Sequence, residues 1–395
     1  MKAALEGIKI LDLSRLLPFE YGTLLLADLG AEVLKVEEPG RGDYMRKIPP
    51  LLKEEGAIFL LLDRNKKSLT LNLRAREGKE ILLQLVRQAD VLFESFRPGT
   101  LDRLGLGYSQ LQEVNPRLIY CSSTGYGQEG PYQDRPGHDS NYLSIAGILG
   151  VLSGKGRPPL IPGLPIADMT AGLFSAFAIL VGLLARQQTG RGQHIDVPMT
   201  DCMLSFNSPN VAHHLALLQD PQRSMTEGTM SWGQEVPWRN VYETQDGRYL
   251  CFANLEEKFW ANLCTAIGRP DLAGQHDTPQ ERSHQITEEL RLLFRSKTLA
   301  EWCGIVEGID TCFSPVHTME EVLRDPHLTA RQMFTEVDHP VEGKLLQVSF
   351  PLKLSETPAQ VQSPAPLLGE HTAEVLKRLG YGEEAIQRLR DQGVV

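Results

Sequence analysis

The stretch Ile8–Glu37, IKILDLSRLLPFEYGTLLLADLGAEVLKVE, carries the reading that decides the fold class. Ile8 to Leu13 alternates and is rich in strand formers. Phe19 to Asp28 has a helical apolar pattern, and Gly30 reads as its C-terminal cap. Glu32 to Glu37 then returns to a strand through Val33 and Val36. The pattern continues downstream. Lys67 to Leu73 alternates Leu69, Leu71 and Leu73 with polar residues, and a helix is expected from Ala75 to Gln88. Val91 to Phe93 and Leu118 to Ser122 read as buried strands. Strands alternating with helices predict an α/β fold with a mostly parallel sheet.

Beyond this run, Gly125 to Pro136 is rich in glycine and proline and reads as loop. Helices are expected from Asp139 to Leu152 and from Met169 to Gln188, with loop from Gly154 to Pro165 between them. His194 to Val197 reads as a strand. The character changes after about residue 220. Val241 to Glu243 and Tyr249 to Phe252 flank Asp246-Gly247, a hairpin signal. Helices follow at Lys258 to Ile267, Glu281 to Phe294 and Thr298 to Val306, which reads as a second, smaller α+β unit. The last sixty residues are expected to hold proline-rich connections and one helix, Thr372 to Leu379.

The chain has 395 residues, 40 basic and 50 acidic, for a net charge of −10. An acidic balance argues against a nucleic-acid partner, which needs a broad basic face. The longest apolar stretch, Ala171 to Ala185, is short for a membrane span and reads as a buried core helix. The N-terminal segment carries no long apolar run, so no signal peptide and no membrane partner are expected. Cys121, Cys202, Cys251, Cys264, Cys303 and Cys312 form no C-x-x-C pair, so no metal site is expected. Scattered thiols of this kind suit a reducing, cytoplasmic location.

Several local patterns invite chemistry. Gly125-Tyr-Gly-Gln-Glu-Gly130 matches G-x-G-x-x-G, but Pro131 and a further Pro-Gly pair follow where a dinucleotide site opens a helix. It reads instead as a turn whose backbone approaches a ligand closely. Arg64, Lys66, Lys67, Arg74, Arg76, Arg97 and Arg103 cluster around expected strand ends, where α/β folds hold phosphorylated ligands. Taken singly, each is as well explained by solvated surface. His138-Asp139 and Asp168 both stand between a long loop and a helix, and Glu256 precedes Phe259-Trp260. Each carboxylate has an ordinary reading as a helix-start residue.

Longer segments point further. Leu26-Ala-Asp-Leu-Gly-Ala-Glu-Val-Leu-Lys-Val-Glu37, Asn65-Lys-Lys-Ser-Leu-Thr-Leu-Asn-Leu73 and Ala89-Asp-Val-Leu-Phe-Glu-Ser-Phe-Arg-Pro-Gly99 come first. Asn115-Pro-Arg-Leu-Ile-Tyr120, Gly137-His-Asp-Ser-Asn-Tyr142 and Thr189-Gly-Arg-Gly-Gln-His-Ile-Asp196 follow, with Asp310-Thr-Cys-Phe-Ser-Pro-Val316 in the second unit. In this order they resemble the family III coenzyme A transferases and, within them, the α-methylacyl-CoA racemases. The resemblance implies an acyl-CoA substrate, no cofactor beyond its coenzyme A moiety, and an interlocked homodimer. It implies a large Rossmann-like domain from residues 1–224 and 331–395, with a smaller α+β domain at 225–330 inserted between them. The coenzyme A contacts it implies are Leu71, Asn72, Arg74, Ser95, Phe96, Arg97, Pro98, Gly99, Arg103, Gly137, Asp139, Asn141 and Tyr142. Glu38 stands where racemases often have Arg, which shifts phosphate contacts toward Arg74, Arg97 and Arg103.

Two reactions are compatible with the resemblance. Racemisation of a 2-methylacyl-CoA needs an α-proton removed from one face and returned to the other. His138, polarised by Glu256, would serve one face and Asp168 the other. A backbone N–H near Asp139 would hold the enolate oxygen. The acyl group would lie near Met169 and Trp232. Alternatively, Asp168 attacks the thioester and coenzyme A moves between acids through an acyl–Asp168 anhydride. No run of consecutive glycines, which many transferases close over the site, occurs in the second unit. The racemase is the primary expectation and the transferase the alternative.

Overall fold

The computed structural model describes residues 2–152, 158–219, 236–276 and 278–395. The boundary at residues 224 and 225, Trp232 and part of the expected 154–165 loop lie outside the described residues.

Six parallel strands form the central sheet. They are β1 (Lys9–Asp12), β2 (Glu32–Glu37), β3 (Lys66–Thr70), β4 (Val91–Glu94), β5 (Ile119–Thr124) and β6 (Gln193–Pro198), in the order β3-β2-β1-β4-β5-β6. β1 thus lies between β2 and β4, and the strand order reverses beside it. The two-residue period of a strand explains the layering. Ile10, Val33, Val91, Phe93 and Ile119 point into one core with Phe19, Leu26, Ala171 and Ile179. Their neighbours Leu11, Leu34, Leu92 and Tyr120 point into the other with Leu69, Ile81, Leu82 and Leu111. Buried on both faces, β4 and β5 show no polar alternation, as a doubly covered parallel sheet requires. The α/β expectation holds.

On the first face the Leu17–Asp28 helix crosses the Ile166–Thr189 helix at two glycines. A Cβ on Gly22 would stand 2.8 Å from the Gly172 carbonyl oxygen, and one on Gly172 would stand 2.3 Å from that of Pro18. The helices therefore touch backbone to backbone. The Ile166–Thr189 helix is apolar nearly all round, and by length and composition alone it would cross a membrane. Ala171, Ala176, Ile179 and Leu183 face the core, whereas Leu173, Phe177, Val181 and Leu184 are 45–61% exposed. The sequence reading of a buried helix is thus right for one face only.

Other differences are local. The expected 139–152 helix breaks into Asp139–Ile145 and Ile148–Leu152 at Gly147, whose φ is +80°. Arg103 lies inside the short Thr100–Leu104 helix that follows β4. The C-terminal region holds a hairpin and a second helix, Glu383–Asp391, as well as Thr372–Arg378.

Packing divides the chain into two units. The first comprises Met1–Leu149, Ile161–Asn207 and His327–Val395, and the second Gly150–Leu160 and Ser208–Pro326. In the second unit the antiparallel strands β7 (Arg239–Glu243), β8 (Tyr249–Ala253) and β9 (Phe313–Pro315) form one sheet. It shares a core of Tyr242, Phe252, Trp260, Phe294 and Trp302 with the Glu257–Ala266, Gln280–Phe294 and Leu299–Val306 helices. The expected hairpin turns at Gly247, with φ +70°. The hairpin of the first unit pairs β10 (Phe334–His339) with β11 (Gly343–Val348).

The helix crossing yields a direct test. Gly172→Ala is expected to cost about 1–3 kcal/mol in a denaturant or thermal melt, because the methyl meets backbone that cannot rotate away. Gly163→Ala, whose Cβ meets nothing within 4 Å, is the control.

Candidate active site

Asp168 occupies the third position of the Ile166–Thr189 helix, which starts three residues earlier than the sequence pattern places it. The residue before the helix is Pro165, which has no side-chain group to cap it. The cap comes from elsewhere in the chain. Asp139 Oδ1 accepts the N–H groups of Ala167 at 2.7 Å and of Asp168 at 3.1 Å. A carboxylate that caps a helix normally sits at the residue before it and contributes about 1 kcal/mol. Here it arrives from a second helix start. Asp168 is half-buried; burial, and then the neighbouring Asp139 charge, push its pKa up to about 7. The structure therefore brings together two carboxylates that lie 29 residues apart.

His138, not Asp139, is the residue that precedes the Asp139–Ile145 helix. Its backbone is held from both sides. Asn141 Oδ1 accepts the His138 N–H at 3.0 Å, and the Asn141 N–H donates to the His138 carbonyl at 2.8 Å. His138 is exposed. Behind it, Tyr142 is buried and donates its hydroxyl to the Gly137 carbonyl at 2.6 Å. Burial, then Tyr126, Asp168 and Asp139, raise the Tyr142 pKa and keep the phenol neutral. A Cβ on Gly125 would meet the Tyr142 ring at 2.4 Å. Gly125 is thus required by that ring. No helix opens between Gly125 and Gly137.

The other expected contacts gather at the carboxyl ends of β3 and β4. The Leu71 side chain belongs to the core, and Leu71 N–H donates to Glu37 O. Asn72 N–H donates to the Val394 carbonyl, and Asn72 Oδ1 accepts the Arg74 N–H at 3.0 Å. Past β4, Phe96 N–H donates to Glu94 Oε2 at 2.7 Å. Glu94 is buried, which pushes its pKa up to about 7. Pro98 leads into Gly99, whose φ of +73° lets the chain turn into the Thr100–Leu104 helix. Arg74, Arg97 and Arg103 are exposed, and Arg103 donates to Thr100 Oγ1 at 3.1 Å. The sequence reading passes over Arg15, whose N–H donates to Ser95 Oγ at 3.0 Å. Its position just past the first strand is the signal that marks it.

Glu256 precedes the Glu257–Ala266 helix, makes no capping bond, and is exposed. It belongs to the second unit, whereas His138 and Asp168 belong to the first. Among the described residues no group of three or more His, Cys, Asp or Glu side chains is arranged to hold a metal.

Over 398 aligned residues the chain is 34% identical to the succinyl-CoA:glutarate CoA-transferase of Homo sapiens, covering 99% of this chain and 90% of that protein. It is 34% identical over 414 residues to the formyl-CoA:oxalate CoA-transferase of Streptomyces avermitilis, covering 100% of both. A crystal structure of a CaiB/BaiF family protein from Brucella suis superposes with a TM-score of 0.81 at 32% identity, covering 96% of this chain and 100% of that one. The human and Streptomyces relatives are named as transferases; they do not support the racemase expectation and favour the alternative. With residues 5–372 matching the family model, the chain belongs to CoA-transferase family III.

Proposed function

We propose that the chain moves coenzyme A from an acyl-CoA thioester to a second carboxylic acid, with Asp168 as nucleophile. The observation that carries this reading is the likeness to relatives named as CoA-transferases, and the half-buried Asp168 carboxylate, raised to about 7 beside Asp139, is a group suited to the nucleophile's part. A carboxylate of raised pKa is more basic and less hydrated than a surface one, which suits it to attack carbonyl carbon. Asp168 adds to the thioester carbonyl, the C–S bond breaks, and coenzyme A departs as thiolate from a mixed anhydride. The thiolate then attacks the Asp168 carbonyl, releasing the first acid as carboxylate and leaving an aspartyl thioester. The incoming carboxylate attacks that thioester, expels the thiolate and forms a second anhydride. The thiolate takes the new acyl group and frees Asp168. One thioester is consumed and one is made, with no proton or electron left over. The Asp139 N–H, at the first position of its helix, is the donor we assign to the oxyanion.

The human relative is named for succinyl-CoA and glutarate, and the bacterial one for formyl-CoA and oxalate. We therefore assign a short dicarboxylic acid as acceptor. Succinyl-CoA incubated with glutarate or oxalate should yield the new thioester by liquid chromatography and mass spectrometry. Asp168→Ala should lower the rate by at least about 10³-fold, as loss of a covalent nucleophile does. His138→Ala should retain transfer. No transfer, but deuterium uptake at the α-carbon of a 2-methylacyl-CoA in D₂O that needs both residues, would overturn the proposal in favour of racemisation.

The pH profile gives an independent check. Only the ionised carboxylate attacks, so kcat/KM should fall about tenfold per unit below pH 7 as Asp168 takes up its proton. Asp139→Asn keeps an oxygen for the cap but removes a charge that raises the Asp168 pKa. Its acid limb should therefore move to lower pH, by the smaller part of the shift, since burial is the larger cause. Asp139→Ala also loses the cap and should cost about 1 kcal/mol of stability.

We also assign the exposed stripe Leu173, Phe177, Val181 and Leu184 to contact with a second copy of this chain. Side chains at such helical spacing form one apolar face, and faces of this kind mark association surfaces. Light scattering after size exclusion should give twice the chain mass, and Phe177→Glu with Leu184→Glu should give one chain mass.

A further inference from the structure

We propose that Arg15 binds a phosphate at the nucleotide end of the acyl-CoA substrate and is held ready for it by two aromatic rings; this rests on the transferase reading above. Arg15 follows β1 at the point where the strand order reverses. Loops leaving the carboxyl ends of strands at such a point are where doubly wound sheets hold ligands. The backbone here is pinned. Arg15 N–H donates to Ser95 Oγ at 3.0 Å, and the next residue, Leu16, has a φ of +72° with its N–H on Asp43 Oδ1 at 3.4 Å. A branched residue in that region persists only where its surroundings over-determine it, and such positions gather at ligand clamps.

The side chain is as constrained as the backbone. The guanidinium lies 5.7 Å from the centre of the Tyr44 ring and 5.4 Å from that of Phe96. Arg15 Nη1 also donates to Tyr44 Oη at 3.4 Å. Among the described residues Arg15 has no carboxylate within ion-pair distance, although acids stand close by in the sheet edge. Those acids have other partners. Asp43 pairs with Lys35 at 2.9 Å, Glu37 with Arg46 at 2.7 Å, and Glu94 accepts from Phe96 N–H. In a chain of net charge −10, a half-buried arginine with no acidic partner among the described residues is a cation awaiting an anion.

A planar fork with two aromatic rings beside it has less freedom to lose than a mobile surface cation, so it binds more per contact. Arg74, Arg97 and Arg103 are exposed and lack such support. Coenzyme A carries phosphates at its nucleotide end and none along its pantetheine arm. The carboxylate of the acceptor acid is the other anion present, and the experiment separates the two.

Isothermal titration of wild type and Arg15→Gln with coenzyme A, 3′-dephospho-coenzyme A and phosphate-free pantetheine tests the assignment. Arg15→Gln should weaken coenzyme A binding by about 10–100-fold, the range of a charged hydrogen-bond pair, and raise the KM for acyl-CoA. Pantetheine affinity and the KM for the acceptor should stay unchanged. A loss retained with 3′-dephospho-coenzyme A places the contact on the pyrophosphate; a loss abolished there places it on the 3′-phosphate. Arg15→Lys, which keeps the charge but not the planar stack, should lose less and serves if the glutamine variant fails to fold. The assignment is overturned by unchanged coenzyme A affinity in both variants, by an equal loss for pantetheine, or by a rise in acceptor KM alone. Failure of the wild type to bind coenzyme A at all would instead remove the transferase reading itself.

Discussion

A fully buried lysine holds β1, β2 and β3 to the segments that follow and flank them. Lys35 Nζ lies 2.9 Å from Asp43 and 3.4 Å from Glu20, with Asp63 at 3.9 Å. Lys66, also buried, pairs with Asp63 at 2.9 Å and stands 3.9 Å from Asp12. Burial works against the Lys35 charge, but Asp43, Asp63 and Glu20 outweigh it and hold the pKa well up. Four carboxylates surround two lysines, and the excess is relieved at Glu20, where burial and then Asp63 raise the pKa well above the usual range. Buried charges of this kind tolerate no loss of a partner, because the remaining charge is stranded away from water. The network ties the ends of β1, β2 and β3 to the start of the Leu17–Asp28 helix and to the loop carrying Asp43. That loop in turn receives the Leu16 N–H, so the turn at the head of the sheet inherits its shape from the lysine.

A second carboxylate serves both architecture and chemistry. Asp139 completes the first turn of the Asp168 helix and, by its charge, helps set the proton affinity of Asp168. The same pair of residues suits a base that removes a proton and a nucleophile that attacks a carbonyl, since both need a carboxylate poised near neutrality. Local geometry around Asp168 is therefore common ground between racemisation and transfer. The relatives decide the family, and it is their names that tip the reading toward transfer.

The Ile166–Thr189 helix shows how one element can mislead in two ways. Its composition is apolar on every side, so a sequence pattern has no polar face by which to orient it. Its contact with the Leu17–Asp28 helix depends on Gly22 and Gly172 meeting across some 150 positions of chain, which no local window reveals (172 minus 22).

What the sequence determined was local and periodic. Ile8–Glu37 announced strand, helix and strand, because alternation and helical spacing are properties of neighbouring residues. The Asp246-Gly247 hairpin and the helix from Thr298 to Val306 were legible for the same reason. The tertiary structure alone decided strand order and the cap that Asp139 lends to the helix after Pro165. It also decided the β10–β11 hairpin, whose Gln347 is buried only because Arg64 and the Leu60 carbonyl satisfy its amide. Arg15 belongs with these. Its meaning comes from Tyr44, Phe96 and Ser95, which the segments after β2 and β4 bring to the residue after β1, and hydrogen bonds and ring contacts between distant residues are fixed by the path of the chain rather than by its period.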